Sequence, residues 1–227
     1  IYPPTTLVQI ENTHNRAGGV IFPQDEIERI CAAARVRNVA TYLDGARLWN
    51  AAIGSGRTPA DLAAPFDLVT IALSKGLGAP GGSVLAGSKD TIARAHRYRR
   101  MSGGAMRQVG ILAAAGLYGL DHNLARLAED HSNCRAMAEI LAESDRVILD
   151  PKAVHTNILV FELTKDAPDA PTVVNEARAR GVLIFAFGPR LIRAVTHLDV
   201  TGEQCVEAAR ILRKIVDGGE QGDATGA

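Results

Sequence analysis

DLVTIALSKGLGAPGGSVLAG, residues 67–87, is the stretch around which the rest of the chain is organised. It contains two apolar runs typical of β-strands, residues 68–73 and 83–86, and between them lie Lys75 and a turn rich in glycine. A charged residue is unusual in this place, because Lys is rarely buried unless it is paired or takes part in chemistry. We therefore expect Lys75 to have a chemical role.

The position of Lys75 suits an amine that forms a Schiff base with a carbonyl compound such as pyridoxal phosphate. That chemistry favours an amine shielded from water at a rigid strand end. The neighbouring glycines leave room for a flat ring close to the backbone, because they carry no side chain. The alternative is a surface lysine in a flexible loop, and this stretch by itself leaves that alternative open.

A second strand end carries a matching carboxylate. YLDGARL, residues 42–48, follows an apolar run, 38–43. Asp44 in this position can pair with the pyridinium nitrogen of pyridoxal phosphate, which keeps the ring protonated as an electron sink. Arg47 lies about one helical turn further on and can contact the same ligand. The alternative, a surface Asp–Arg pair, does not explain two such sites at two strand ends.

The order of apolar segments favours an α/β fold. Strands alternate with helices from residue 7 to residue 86, which predicts βαβ units and a mainly parallel sheet. Ligands in such sheets bind beyond the carboxyl ends of the strands, where Asp44 and Lys75 are both expected. The polar cluster 11–15 follows another predicted strand, and it serves either a cleft or a turn.

The predicted element bounds are as follows. Helices are expected at 23–37, 46–53, 59–64, 89–100, 107–120, 124–143, 172–180 and 202–216, and strands at 7–10, 39–43, 68–73, 83–86, 147–149, 157–161, 182–185 and 191–194. The composition changes near Ser144. We therefore expect one domain over residues 1–143, a small α+β domain over 144–217, and a disordered tail over 218–227, which has no large apolar residue.

Two arginines suggest anion binding. Arg107 opens a predicted helix, where a cation opposes the helix dipole but a bound phosphate would favour it. Arg193 lies in an otherwise apolar strand, LIRAV, and its guanidinium suits a bidentate carboxylate such as that of an amino acid. A packed Arg107 and an ion-paired Arg193 are the alternatives.

Composition excludes several classes of function. The 25 basic and 25 acidic residues of the 227-residue chain cancel, which gives no argument for nucleic acid or an anionic membrane. No apolar run reaches the length of about 18 residues that a membrane helix needs. The three cysteines are far apart, as expected in a reducing cytosol. The histidines lack the spacing of metal ligands, so no metal site is predicted.

Five segments in this order resemble low-specificity L-threonine aldolases of the aromatic amino acid β-eliminating lyase/threonine aldolase group. These segments are ENTHNRAGG (11–19), YLDGARLWNAA (42–52), LSKGLGAPGGS (73–83), MSGGAMRQVGILAAAG (101–116) and IRAVTHLDV (192–200). The resemblance covers residues 6–213 and implies an aminotransferase-like (fold type I) large domain. It also implies further residues upstream, including the ring-stacking residues, much of the phosphate site and a candidate base. We accordingly expect residues 1–143 to be the C-terminal part of the cofactor-binding domain.

The resemblance implies roles for the residues already named. Lys75 and Asp44 would be catalytic and, with Arg47 at the ring oxygen and Arg107 at the phosphate, would bind pyridoxal 5′-phosphate. Arg193 would bind the substrate carboxylate. The expected activity is cleavage of L-threonine or L-allo-threonine to glycine and acetaldehyde by a cytoplasmic homo-oligomer, a dimer or tetramer. The alternatives are a β-eliminating lyase, racemase or aminotransferase with the same cofactor, or an incomplete fragment that only binds or dimerises.

Overall fold

The computed structural model describes residues 3–219 of the chain. The chain divides into two units. Of the described residues, the first unit contains 3–14 and 21–127, and the second contains 15–20 and 128–219. No helix among the described residues combines the length and the apolar character needed to cross a membrane.

The first unit is built on a four-stranded sheet in the order β1-β2-β3-β4. Its strands are β1 (Leu7–Glu11), β2 (Ala40–Gly45), β3 (Leu68–Ala72) and β4 (Ser83–Gly87). The first three strands run parallel, and β4 is antiparallel to β3. The sheet is therefore mainly parallel, as predicted, with an antiparallel strand at one edge.

One side-chain pair fixes how β2 and β3 begin. Asp67, just before β3, accepts hydrogen bonds from the backbone nitrogen and hydroxyl of Thr41 at 2.8 and 3.0 Å. The hydroxyl of Thr41 in turn accepts from the backbone nitrogen of Asp67. The pair sets the register in which Asp44 lies opposite Thr70.

Helices lie between and after the strands of the first unit, and those between strands bury apolar residues against the sheet. They are α1 (Gln24–Val36), α2 (Leu48–Ser55), α3 (Pro59–Ala63), α4 (Lys89–Met101) and α5 (Gly110–His122). Leu43, Leu48 and Leu62 form one small core, and Ile10, Ile27 and Cys31 form another.

The second unit carries the larger hydrophobic core and a second sheet in the order β5-β6-β8-β7. Its elements are α6 (Leu127–Leu141), β5 (Val147–Ile148), a 3-10 turn (Pro151–Ala153), β6 (Ile158–Leu163), α7 (Ala170–Ala179), β7 (Phe185–Ala186), β8 (Leu191–Val195) and α8 (Gly202–Val216). Every strand pair in this sheet is antiparallel. Only the first residue of α6, Leu127, belongs to the first unit.

The start of α5 and the boundary between the units differ from their predicted positions. The helix expected from residue 107 begins at Gly110, because Gln108 takes a positive φ of 52° just before it. The division between the units lies at the start of α6, after Leu127, whereas the expected boundary lay near Ser144. Residues Cys134, Met137 and Leu141 explain the difference, since they pack in the core of the second unit. The tail expected over 218–227 lies outside the described residues, apart from Gly218 and Gly219.

Candidate active site

The carboxyl ends of β1, β2 and β3 lie side by side and carry most of the candidate residues of the first unit. Glu11, the last residue of β1, lies opposite Asp44 of β2. The backbone nitrogen of Asn12 donates to the carbonyl of Asp44 at 3.1 Å, which extends this pairing by one residue. Lys75 lies three residues beyond the end of β3. Asp44 and Lys75 thus lie at the carboxyl ends of two neighbouring parallel strands, on the same side of the sheet.

Asp44 is half-buried, and its side chain caps the turn into α2. Its Oδ1 accepts a hydrogen bond from the backbone nitrogen of Ala46 at 3.1 Å. Arg47 follows at the N-cap position of α2 and is also half-buried. The bond to Ala46 orients one carboxylate oxygen of Asp44.

Gly45 keeps this strand end close to β3. A Cβ at this position would lie 2.8 Å from the carbonyl oxygen of Thr70 and 3.2 Å from the Cβ of Leu48. Real side chains do not approach a backbone oxygen so closely, and only glycine suits the contact. Glycine at position 45, the last residue of β2, is therefore required by the packing of β2 against β3.

Lys75 is exposed, which corrects the expectation of an amine shielded from water. The physical reason lies in the neighbouring edge strand, because all five residues of β4 are exposed as well. The loop backbone is nevertheless ordered by the chain itself. The nitrogen of Gly78 donates to the carbonyl of Lys75 at 2.9 Å, and the nitrogen of Ala79 donates to that of Leu73 at 3.1 Å.

Helix α5 and the residue that follows it hold the far side of the lysine loop. The side-chain nitrogen of Asn123 donates to the carbonyl of Leu77 at 2.8 Å. A Cβ on Gly119 would lie 2.6 Å from the same carbonyl oxygen, and a Cβ on Gly116 would lie 2.9 Å from a methyl group of Leu73. The two glycines allow α5 to approach on either side of Lys75. Sequence reasoning missed this support.

The two residues that follow β1 each carry a buried polar atom. Asn12 and Thr13 are each 1% exposed, yet the Nδ2 of Asn12 and the Oγ1 of Thr13 have no hydrogen-bond partner within residues 3–219. The other side-chain atom of Asn12, Oδ1, accepts from the backbone nitrogen of Phe22 at 3.2 Å. Buried polar atoms are normally satisfied, and such an exception calls for a ligand or water. This favours the cleft interpretation of residues 11–15 over a pure turn.

The two remaining candidates lie elsewhere. Arg107 is exposed in the turn before α5 rather than within the helix, and this corrects its predicted place at the helix start. Arg193 lies in β8 of the second unit, where burial lowers the pKa of its guanidinium. Within the described part of the chain, no group of three or more His, Cys, Asp or Glu side chains is arranged to hold a metal ion.

Several known proteins are similar to this chain in sequence. A family model described as β-eliminating lyase matches residues 1–164. The low-specificity L-threonine aldolase of Escherichia coli K12 is 44% identical over 205 residues, which is 90% of this chain and 59% of that protein. The low-specificity L-threonine aldolase 1 of Arabidopsis thaliana is 36% identical over 88% of this chain and 56% of its own length. The chain therefore spans somewhat more than half the length of these relatives.

Solved structures share the fold. The threonine aldolase of Leishmania major superposes with a TM-score of 0.75 at 21% identity, over 93% of this chain and 61% of that one. An aspartate aminotransferase of Rhodobacter sphaeroides gives 0.69 at 22% identity, over 94% of this chain and 57% of that one. At these identities the likeness concerns the fold alone, and it confirms the predicted aminotransferase-like architecture.

Proposed function

Since the chain belongs to the β-eliminating lyase family, we propose that its full-length protein is a pyridoxal-phosphate-dependent aldehyde-lyase for β-hydroxy-α-amino acids. L-Threonine and L-allo-threonine would give glycine and acetaldehyde. The observation that supports this most directly is the shared sheet edge, where Asp44 and the loop of Lys75 follow neighbouring parallel strands. The 44% identity to an L-threonine aldolase favours this substrate class.

The residues at that edge suit the cofactor. Lys75 would hold it through its amine, Asp44 would face the ring nitrogen, and Arg47 would contact the ring oxygen. Within residues 3–219, the Nδ2 of Asn12 and the Oγ1 of Thr13 are buried without a partner, and the backbone of Asn12 is bonded to Asp44, which suits the binding of a polar ring. Arg107, exposed in this chain, would bind the phosphate, either of its own subunit or of a neighbour.

Bound pyridoxal phosphate supplies an electron sink for the pair left by a broken bond at Cα. The carboxylate of Asp44 favours that sink, because its negative charge stabilises a proton on the ring nitrogen. Arg193 would bind the carboxylate of the substrate and thereby help decide which bond at Cα is aligned for cleavage. The base that accepts the β-hydroxyl proton is not among these residues.

The same ring chemistry serves β-eliminating lyases, racemases and aminotransferases, so Lys75 and Asp44 do not separate them. The structural likeness to an aspartate aminotransferase reflects the shared fold. Products separate the alternatives, since aldol cleavage releases glycine and an aldehyde, β-elimination releases ammonia and a keto acid, and racemisation changes only configuration. We expect a homo-oligomer in the cytoplasm.

Borohydride reduction of the full-length holoenzyme, followed by peptide mapping, tests the cofactor assignment. We expect the pyridoxyl label on Lys75, and Lys75→Ala should abolish both the label and the visible absorbance of the bound cofactor. A label on Lys89 or Lys152 would contradict the assignment. Assays with threonine, allo-threonine and phenylserine test the reaction itself. Glycine should appear with an equal amount of aldehyde, whereas ammonia or a keto acid would favour an alternative.

A further inference from the structure

Arg193 projects from the face of the second sheet that turns away from the core. Its neighbours Ile192 and Ala194 are buried in the hydrophobic core, and strand alternation places Arg193 on the opposite face. Its cross-strand partners are Val160 of β6 and Phe185 of β7. The guanidinium is thus carried by a central strand of the sheet, which fixes where its stem begins.

The guanidinium of Arg193 has no acidic partner among residues 3–219, and its Nε is buried without a hydrogen-bond acceptor there. Arg190, three residues earlier, is different. It donates to the carbonyls of Leu163, Thr164 and Ala167, and those bonds occupy its fork. Arg190 therefore serves the fold, whereas the charge and donors of Arg193 are left for another group.

An aromatic ring, that of Phe187, lies next to the guanidinium of Arg193. The Cζ of Arg193 lies 5.3 Å from the ring centroid of Phe187, within the range of a cation–π contact. The backbone nitrogen of Phe187 donates to the carbonyl of Leu191 at 2.7 Å, which ties the residue after β7 to the start of β8. Phe187 is 37% exposed, against 67% for Phe185, so it is the better covered of the two.

We infer that Phe187 is a positioning residue, which holds the guanidinium of Arg193 in place for a ligand carboxylate without neutralising it. An acidic residue would also fix the guanidinium, but it would occupy the bidentate fork that a carboxylate needs. A ring face attracts the cation without accepting hydrogen bonds from its N–H groups, which therefore stay available to a carboxylate. The inference rests on the proposed function, in which the ligand is the carboxylate of an amino-acid substrate.

Three substitutions in the full-length holoenzyme test the inference. Phe187→Leu removes the ring and keeps an apolar side chain, and Phe187→Tyr keeps the ring. Phe185→Leu, two residues earlier in β7, is the matched control. Glycine is the probe, and its binding is measured by calorimetry, which does not depend on turnover. We expect Phe187→Leu to weaken glycine binding about three- to tenfold. Phe187→Tyr and Phe185→Leu should bind glycine as the unchanged protein does.

Kinetics and Arg193→Lys complete the test. Phe187→Leu should raise the KM for threonine and leave kcat and the cofactor absorbance nearly unchanged. Unchanged glycine binding in Phe187→Leu, or equal weakening in Phe185→Leu, would overturn the inference. If Arg193→Lys also binds glycine normally, the proposed role of Arg193 fails with it. If the glycine pattern holds but threonine is not cleaved, the proposed reaction fails and the positioning role stands.

Discussion

At the scale of single residues, Thr13 stands out in the first unit, because its buried hydroxyl has no hydrogen-bond partner among residues 3–219. A buried polar group without a partner costs about 1–3 kcal/mol of stability. Thr41, on the neighbouring strand, is buried to a similar extent, but its hydroxyl is bonded to Asp67. The two threonines therefore form a matched pair, in which one hydroxyl is bonded within the fold and the other has no partner in the described part of the chain.

Replacing Thr13 with Val should separate stability from cofactor binding. Val has nearly the same shape and no hydroxyl. We expect Thr13→Val without cofactor to be as stable as the unchanged protein or up to about 1 kcal/mol more stable. Its affinity for pyridoxal phosphate should be lower. Thr41→Val should do the opposite, losing about 1 kcal/mol with unchanged cofactor affinity.

Denaturant unfolding without cofactor and fluorescence titration with pyridoxal phosphate measure the two quantities. If Thr13→Val destabilises the cofactor-free protein as much as Thr41→Val does, the hydroxyl of Thr13 has a structural partner and the cleft interpretation is wrong. The sequence predicted the polar cluster after β1 but left its purpose open. Whether the hydroxyl of Thr13 is buried and lacks a partner depends on tertiary packing, which could not be predicted from the sequence.

At the scale of elements, α5 and the lysine loop depend on each other. The apolar runs locate the strand ends in the sequence, and they therefore predict Asp44 and Lys75 at the carboxyl ends of strands in one sheet. The exposure of Lys75 could not be predicted, because it depends on what covers β4 rather than on the loop's own residues. The contact of Gly116 and Gly119 with the loop could not be predicted from the sequence either, because it joins segments about forty residues apart.

Gly119→Ala should disturb the lysine loop, although alanine is the better helix former. The added methyl would lie 2.6 Å from the carbonyl oxygen of Leu77, and the helix or the loop must move. We expect a loss of about 1–3 kcal/mol in stability, which outweighs a helix-propensity gain of about 1 kcal/mol. The displaced loop should also slow attachment of pyridoxal phosphate at Lys75.

Gly110→Ala is the control in the same helix, because a Cβ there meets no atom within 4 Å. It should be neutral or slightly stabilising and should bind the cofactor at the normal rate. Thermal unfolding and the growth of visible absorbance after mixing with cofactor measure both effects. Equal behaviour of the two variants would show that α5 does not support the loop.

At the scale of the whole molecule, the two units are not two consecutive pieces of sequence. Residues 15–20 belong to the second unit, where the hydroxyl of Thr156 donates to the carbonyl of Gly19 at 2.7 Å. A Cβ on Gly19 would lie 2.5 Å from that hydroxyl oxygen, and its φ of +71° also favours glycine. These partners are 137 positions apart, which is why composition alone predicted a simple boundary near Ser144.

The second unit should lose stability in mild acid because of His131. This histidine of α6 is only 7% exposed, and burial, with a smaller contribution from Arg135, lowers its pKa to about 4. An unfolded histidine has a pKa of about 6.5. Below that pH the unfolded state binds a proton that the folded state does not, so the stability contributed by the neutral ring is complete above about pH 6.5 and is lost progressively towards pH 4.

Linkage gives a loss of about 2 kcal/mol between pH 7 and pH 5, a window mostly above the titration of ordinary carboxylates. Denaturant unfolding across this window, followed by a probe in the second unit, measures it. His131→Gln should be less stable at pH 7 but should show a much flatter dependence on pH, because the amide does not titrate. His96→Gln, on the exposed face of α4, should keep the full dependence of the unchanged protein. If His131→Gln and the unchanged protein lose stability in parallel from pH 7 to pH 5, the acid sensitivity arises from another group and His131 is protonated in the folded unit.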